Sequence, residues 1–371
     1  MQTEFTLNEG QKKTVEKILS TKKNIFISGP AGTGKSVIAR HVTTPRTVII
    51  APTGVAALNV GGATAHKTFK IPIGLLTKKD MNTLPLKCKA MVELFSGDID
   101  RIIMDEAAQF RADTLDCINK RLQLIRKSSL PFGGIQMVGV GDFFQLEPIV
   151  GYAEKPHFYQ EYDSPFTFSS NSWNFELTEL EKIERQSDVR QIAMLNSIRK
   201  DDRWSTLALQ RIQDEAMPYI KCKDTLHLCS LKDTAKQINE HWYNDVKGPE
   251  MVYRAEYTGD CNTTTWERDC AVADTVRLKV GVSVIIKAND MDGAYVNGNK
   301  GIVTFLHPTC VGVLLNTGVE VIVFQNVWEK YKYSSCKVNG LGKEVEATMT
   351  QIPIALGYAV AIHACQGMTL D

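Results

Sequence analysis

Four short apolar runs mark the first part of the chain: Asn24 to Ser28, Thr47 to Ala51, Arg101 to Met104 and Ile135 to Val140. They are continuous rather than alternating, which suits strands covered on both faces in a parallel sheet. Between them the spacing becomes helical. The clearest case is Arg111 to Lys127, where Leu115, Ile118, Leu122 and Ile125 share one face. Alternating strand and helix predict a doubly wound α/β sheet with ligands at the carboxyl ends of its strands. Residues 61 to 97 break the rhythm with Gly61-Gly62, Pro72, Gly74, Pro85 and Gly97, and with four lysines from Lys78 to Lys89. They read as an insertion on the first domain.

A second α/β unit is expected from about Leu177. It would contain a helix over Gln191 to Lys200, a strand over Leu226 to Ser230 and a helix over Leu231 to Tyr243. From 280 to 350 the pattern shortens again. Val282 to Ile286, Gly301 to Leu306, Val311 to Leu315 and Val319 to Phe324 are β runs split by Asn, Asp and Gly turns, as in a small barrel or hairpin insertion. A helical pattern is expected around Ala355 to Cys365. With 371 residues, two or more domains are the expectation.

Composition changes this picture little. The chain is 43% hydrophobic and 23% charged, the balance of a globular protein. No stretch approaches the roughly 20 apolar residues of a membrane-spanning helix, and Met1 to Glu9 lacks the apolar core of a signal peptide. No membrane partner is expected. The nine cysteines include no C-x-x-C pair, which argues against zinc. Their odd number reads as reduced thiols in an intracellular compartment: cytoplasm, nucleoid or nucleus, or host cytoplasm for a viral protein. A net charge of +1 weighs slightly against nucleic acid as a partner. A motor that must release its track needs only a local positive groove.

The chemistry is more specific. Gly29-Pro30-Ala31-Gly32-Thr33-Gly34-Lys35-Ser36 is a complete G-x-x-x-x-G-K-S between an apolar strand and a helical segment, the setting of a phosphate-binding loop. Its backbone N–H groups would face phosphates, Lys35 would reach the β- and γ-phosphates, and Ser36 would ligate Mg²⁺. Ile102-Ile103-Met104-Asp105-Glu106 brings two carboxylates to a strand end. Asp105 would hold Mg²⁺ and Glu106 would polarise the attacking water. Three further residues stay open between a functional and an ordinary role. Gln145, after Gly141-Asp142-Phe143-Phe144, is a γ-phosphate sensor or a plain turn residue. Gln11 reads an adenine edge or is a surface glutamine. Arg185 is a cation for the γ-phosphate or a surface ion pair.

In order along the chain, these strings resemble a superfamily 1B DNA helicase of the RecD-like branch, and most of all the petite-integration-frequency (PIF) family, with the phage Dda helicases as near relatives. The resemblance rests on the phosphate loop and on Ala51-Pro52-Thr53-Gly54-Val55-Ala56-Ala57. It continues through Gly62-Ala63-Thr64-Ala65-His66-Lys67-Thr68-Phe69, Asp105-Glu106-Ala107, Gly141 to Leu146, Leu180 to Gln186 and Leu195-Asn196-Ser197-Ile198-Arg199, and ends with Ile362 to Asp371.

The resemblance implies two RecA-like P-loop cores, one at 1–60 and 98–176, the other at 177–279 and 351–371. It adds a wedge-bearing insertion at 61–97, with Phe69 and Phe95 as wedge candidates, and an SH3-like β insertion at 280–350. It implies ATP and Mg²⁺ as cofactors and 5′-to-3′ movement on single-stranded DNA, with forked duplex DNA as a further partner. Single-strand-binding, replication or recombination proteins would be companions of a working monomer. Pro52, Thr53, His66, Thr68, Phe69, His363 and Thr369 would touch DNA, while Gln366 and Gly367 would help bind nucleotide. His and Phe rings can stack on bases, and hydroxyls can hold phosphates, without reading sequence. Ala364 stands where relatives commonly carry lysine. By the resemblance, a last strand and an arginine-bearing motif would lie past Asp371; either the protein continues there, which is the expectation, or it depends on Arg185 alone. Two other readings stay open: a P-loop switch, and a DNA-binding protein clamped by ATP without productive unwinding.

Overall fold

The computed structural model describes residues 7–72, 74–86, 88–184, 188–216, 222–259, 266, 272–290, 293–336 and 340–362. The chain divides into two units, 1–217 with 331–344, and 218–330 with 345–371.

The first unit holds a six-stranded sheet: β1 (Ile25–Ser28), β2 (Thr47–Ala51), β3 (Ala63–Thr64), β4 (Arg101–Met104), β5 (Gln136–Gly141) and β6 (Glu176–Glu179). They are parallel, in the order β3-β2-β4-β5-β1-β6. Its helices include α1 (Glu9–Ser20), α2 (Lys35–His41), α3 (Gly54–Asn59), α4 (Ala65–Phe69), α5 (Lys78–Asn82), α6 (Lys89–Ser96), α7 (Ala112–Arg126), α8 (Lys155–Glu161) and α9 (Val189–Lys200).

Alternate residues of the central strands serve opposite faces, as the twofold period of a strand requires. Phe26, Ile102, Met104 and Met137 pack with Leu115, Ile118 and Leu122 of α7. Ile25, Ile27, Ile103, Val138 and Val140 pack on the other face with Ile18 of α1 and Ile38 of α2. Every residue of β1, β4 and β5 is therefore buried, which explains the continuous apolar runs. Edge strand β6 alternates half-buried and exposed positions. Leu177, expected to open the second unit, pairs with Phe26 in this sheet.

Residues 61–97 supply β3, which extends the sheet beside β2, and the short helices α4, α5 and α6. Phe69 and Phe95 from this segment are 0% exposed, and their rings stack at 4.8 Å. This corrects the expectation that Phe69 touches DNA and that either ring is a wedge. Both belong to the core that α7 also lines, because the sheet and α7 offer apolar cover from sequence-distant elements. Arg121 of α7 locks the arrangement by donating to the carbonyl oxygens of Phe69 and Asp80.

In the second unit a parallel pair, His227–Cys229 with Ala359–Ala361, lies against the helix Lys232–Asp245. Asn239 of that helix donates to the Ala359 carbonyl and accepts from the Tyr358 and Ala359 amides. A five-stranded antiparallel sheet runs in the order Glu320–Phe324, Cys310–Leu315, Lys300–His307, Ser283–Ile286, Ile354–Leu356. Four of these strands are the expected β runs. The fifth corrects the helical pattern expected around Ala355 to Cys365: Ile354–Leu356 and Ala359–Ala361 are strands. Pairing of Ile354 with Ile286 and of Ala359 with His227 outweighs local spacing.

Candidate active site

The carboxyl ends of β1, β5 and β4, three neighbours in the sheet, carry the loop, the Gly141-Asp142 turn and the acid pair. After β1 the chain turns through Gly32 and Gly34, both at φ 82°. Gly34 is confined twice. Its φ disfavours any side chain, and a Cβ would lie 2.3 Å from Nε2 of Gln11. Thr33 Oγ1 donates to the Pro30 carbonyl at 2.9 Å. Lys35 Nζ donates to the Gly29 and Pro30 carbonyls at 2.7 and 2.9 Å. Those neutral oxygens hold the ammonium inside the loop, where phosphate oxygens can replace them. Ser36, exposed, follows in the first turn of α2.

Gln11 is not the surface glutamine of one of its sequence readings. It is 5% exposed. Its Oε1 accepts from the Asn8 amide at 2.9 Å, closing the capping box of α1, and its Nε2 donates to the Thr33 carbonyl at 3.0 Å. The carboxamide ties α1 to the loop instead of lying open on the surface.

At the end of β4, the Asp105 amide donates to the Ile50 carbonyl at 2.9 Å. Glu106 then adopts a left-handed conformation, φ 48°. Such a backbone costs a non-glycine residue about 1–3 kcal/mol and is found preferentially at functional sites. The following turn passes so close to β5 that a Cβ on Gly141 would sit 2.8 Å from the Ala108 amide.

Burial, and then the Glu106 charge, push Asp105 up to about 6. Burial raises Glu106 as well; Lys35 opposes this and Asp142 adds to it. Burial draws the Lys35 ammonium below the ordinary lysine value, while Asp142, Glu106 and Asp105 support its charge and Arg199 works against it. Two carboxyl groups held in a dry place with a raised proton affinity are short of positive charge. That donor set, with the Ser36 hydroxyl beside the loop, fits a hard divalent cation.

The turn after β5 is fixed by the Gln145 amide donating to the Asp142 carbonyl at 3.2 Å and the Phe144 amide donating to Asp142 Oδ1 at 3.1 Å. Asp142 also meets Arg199 of α9. Sequence reading passed over both residues. They stand in the quoted strings, but nothing local joins them.

Pro52 and Thr53 follow β2, and His66 and Thr68 lie on α4 just after β3. Thr53 caps α3 by accepting from the Ala56 amide at 3.2 Å. His66 is half-buried, whereas the Thr68 hydroxyl is buried without a partner. Arg185, His363, Gln366, Gly367 and Thr369 lie outside the described residues. Glu184, next to Arg185, donates its amide to the Gly32 carbonyl at 2.8 Å and accepts from Asn8 Nδ2 at 2.8 Å.

Residues 6–210, more than half of the chain, match the protein family described as PIF1-like helicase. The chain belongs to that family. Among PIF1-like relatives, the ATP-dependent DNA helicase PIF1 of Danio rerio is 30% identical over 382 residues, a match covering 98% of this chain and 56% of that protein. The Homo sapiens protein of the same name is 29% identical, with 100% of this chain and 56% of that protein covered. The chain thus spans little more than half the length of these PIF1 relatives. The crystal structure of Bacteroides sp. Pif1 in complex with ADP-AlF4 superposes with a TM-score of 0.89 at 30% identity, covering 99% of this chain and 85% of that one. The mixed α/β fold of parallel and antiparallel sheets is that of the PIF1-like helicases and matches the expected pair of RecA-like domains. Among the described residues no helix is long and apolar enough to cross a membrane.

Proposed function

We propose that this chain is the motor part of an ATP-dependent DNA helicase that moves 5′ to 3′ on single-stranded DNA and opens duplex ahead of it. The observation that carries this reading is the shared rim. The phosphate loop, the acid pair and the Gln145 turn end β1, β4 and β5, while Pro52, Thr53 and His66 follow β2 and β3 of the same sheet. A signalling switch has no use for that second group. The names of the relatives support the reading. They are ATP-dependent DNA helicases, and solved structures include Bacteroides Pif1 bound to ssDNA and one described as DNA unwinding at forked dsDNA by two coordinating Pif1 helicases.

In this mechanism Lys35 exchanges the Gly29 and Pro30 carbonyls for β- and γ-phosphate oxygens. Glu106 accepts a proton from the attacking water at its carboxylate. Gln145 senses the γ-phosphate, and Arg185 completes its charge neutralisation. Asp105 and the Ser36 hydroxyl would hold Mg²⁺, which would neutralise phosphate charge. The organisation that goes with this is two RecA-like cores, an insertion at 61–97 and a β insertion at 280–350.

The test is ATPase rate with and without oligo-dT at low salt, where phosphate contacts are strongest, together with strand displacement from 5′- and 3′-tailed duplexes. Stimulation and opening of the 5′-tailed substrate alone support the proposal. ATP turnover indifferent to oligo-dT favours a switch, and DNA binding without displacement favours a clamp.

Two further results are expected. His66→Ala lowers oligo-dT stimulation several-fold and leaves the DNA-free rate unchanged, because the ring stacks on a base instead of supporting the loop. An unaltered DNA response would return His66 to a structural role. Asp105 is half protonated near pH 6 and ionised at pH 8, and a cation needs the carboxylate. Binding of Mg²⁺-ADP at pH 6 therefore releases protons, and at pH 8 it does not. Titration calorimetry in buffers of different ionisation enthalpy reads this directly.

A further inference from the structure

Asp142 is a buried carboxylate, 3% exposed, just after Gly141, whose register partner Ser28 precedes the loop, and two cations bear on it. One is Arg199, from α9 in the same unit. Its Nε donates to both carboxylate oxygens at 3.3 and 3.2 Å, and Nη2 donates to Oδ1 at 2.8 Å. The guanidinium lies 4.4 Å from the Phe144 ring centre, and its Nη1 is buried without a partner. The other is Lys35. Asp142 acts on its charge more strongly than Glu106 or Asp105 does. Yet Lys35 Nζ rests on the Gly29 and Pro30 carbonyls.

That division has a physical reason. A buried carboxylate without a cation is very unfavourable and draws in any cation that can reach it. The guanidinium fork matches both carboxylate oxygens, and a stacked, planar cation loses little freedom in doing so. Hydrogen bonds to neutral carbonyls are weaker than charge-assisted ones. An ammonium on carbonyls therefore exchanges readily for phosphate, whereas an ammonium captured by Asp142 would have to break an ion pair first.

We infer that Arg199 guards Lys35: by occupying Asp142 it keeps that carboxylate from capturing the ammonium that must meet the nucleotide. This makes Arg199 a positioning residue that acts through Asp142 and Lys35 without touching substrate. The inference rests on the reading that the loop binds ATP.

The test is a double-mutant cycle on the full chain, read as the Kd of a fluorescent ADP and the KM for ATP. Thermal melting of each variant establishes that it is folded. Arg199→Ala is expected to weaken nucleotide binding on the order of tenfold or more. Adding Asp142→Asn removes the competing charge, so Arg199→Ala/Asp142→Asn recovers most of the lost affinity. Arg199→Lys retains a cation for Asp142 and keeps affinity well above that of Arg199→Ala. It also decides the matter if the alanine variant does not fold.

If Arg199 merely staples α9 to the turn, Asp142→Asn is as damaging as Arg199→Ala, the double variant is no better than either, and the inference fails. It also fails if Arg199→Lys binds no better than Arg199→Ala. Wild type and Lys35→Ala serve as references. If wild type binds no nucleotide, the ATP reading itself is wrong. If wild type binds, Lys35→Ala does not, and the cycle shows no recovery, only the guarding role is lost.

Discussion

Lys35→Ala eliminates measurable ATP turnover, a loss of at least about a hundredfold in kcat, in line with removal of a single preorganised charge-stabilising donor elsewhere. The expectation rests on where the ammonium lies. It is held inside the loop by two carbonyl oxygens and surrounded by Asp142, Glu106 and Asp105. No other described lysine occupies the loop. Alanine leaves the glycine turns intact, so the loop still folds, but the cation that Asp142, Glu106 and Asp105 support is gone. Nucleotide binding should fall together with kcat, since the same charge serves ground and transition states. Turnover near the wild-type rate would show that the phosphates bind elsewhere.

Glu106→Gln gives the complementary result: nucleotide still binds and hydrolysis falls by about 10²–10⁴, the usual contribution of a positioned general base. Glutamine has the same shape and meets the same left-handed backbone at φ 48°, so the turn is equally strained in both proteins. What it cannot do is accept a proton. It also removes the neighbouring charge that helps raise Asp105. The Asp105 pKa then falls somewhat from about 6, burial still holding it above the ordinary aspartate value, and Mg²⁺-ADP binding at pH 6 releases fewer protons than in wild type. Normal hydrolysis by Glu106→Gln would move the base to another residue, and unchanged proton release would remove Asp105 from the cation site.

What could be read from the chain follows from how local each requirement is. The loop was legible because its residue types answer to its own geometry, with Gly34 as the sharpest case. The strands were legible because cover on both faces leaves apolar runs in β1, β4 and β5, with the polar residues Ser28, Arg101 and Gln136 only at their ends. Phe69 was not, since an aromatic ring inside a DNA-contact string looks the same whether it stacks on a base or on Phe95. Gln11 misled through its type. A polar side chain reads as exposed until the loop that buries it is in place. The strands at 354–361 were hidden because Ile286 and His227, which pair with them, are far away in sequence. The Asp142–Arg199 pair joins two strings 57 residues apart, and neither string names the other.

The sheet also sorts its strands by dryness, and this has a mechanical meaning. Three wholly buried neighbours carry the loop, the acids and the Gln145 turn. The margin strand β6, with Leu177 60% exposed, leads into the segment that crosses the loop at Glu184. Amide hydrogens of the inner strands should exchange with deuterium only when the whole unit opens, while those of β6 exchange through local fraying. The reacting groups thus stand on a stiff bed, and pliancy is confined to the rail beside it. Strain arriving along that rail can shift the Glu184 segment without disturbing the spacing between the loop and its acids.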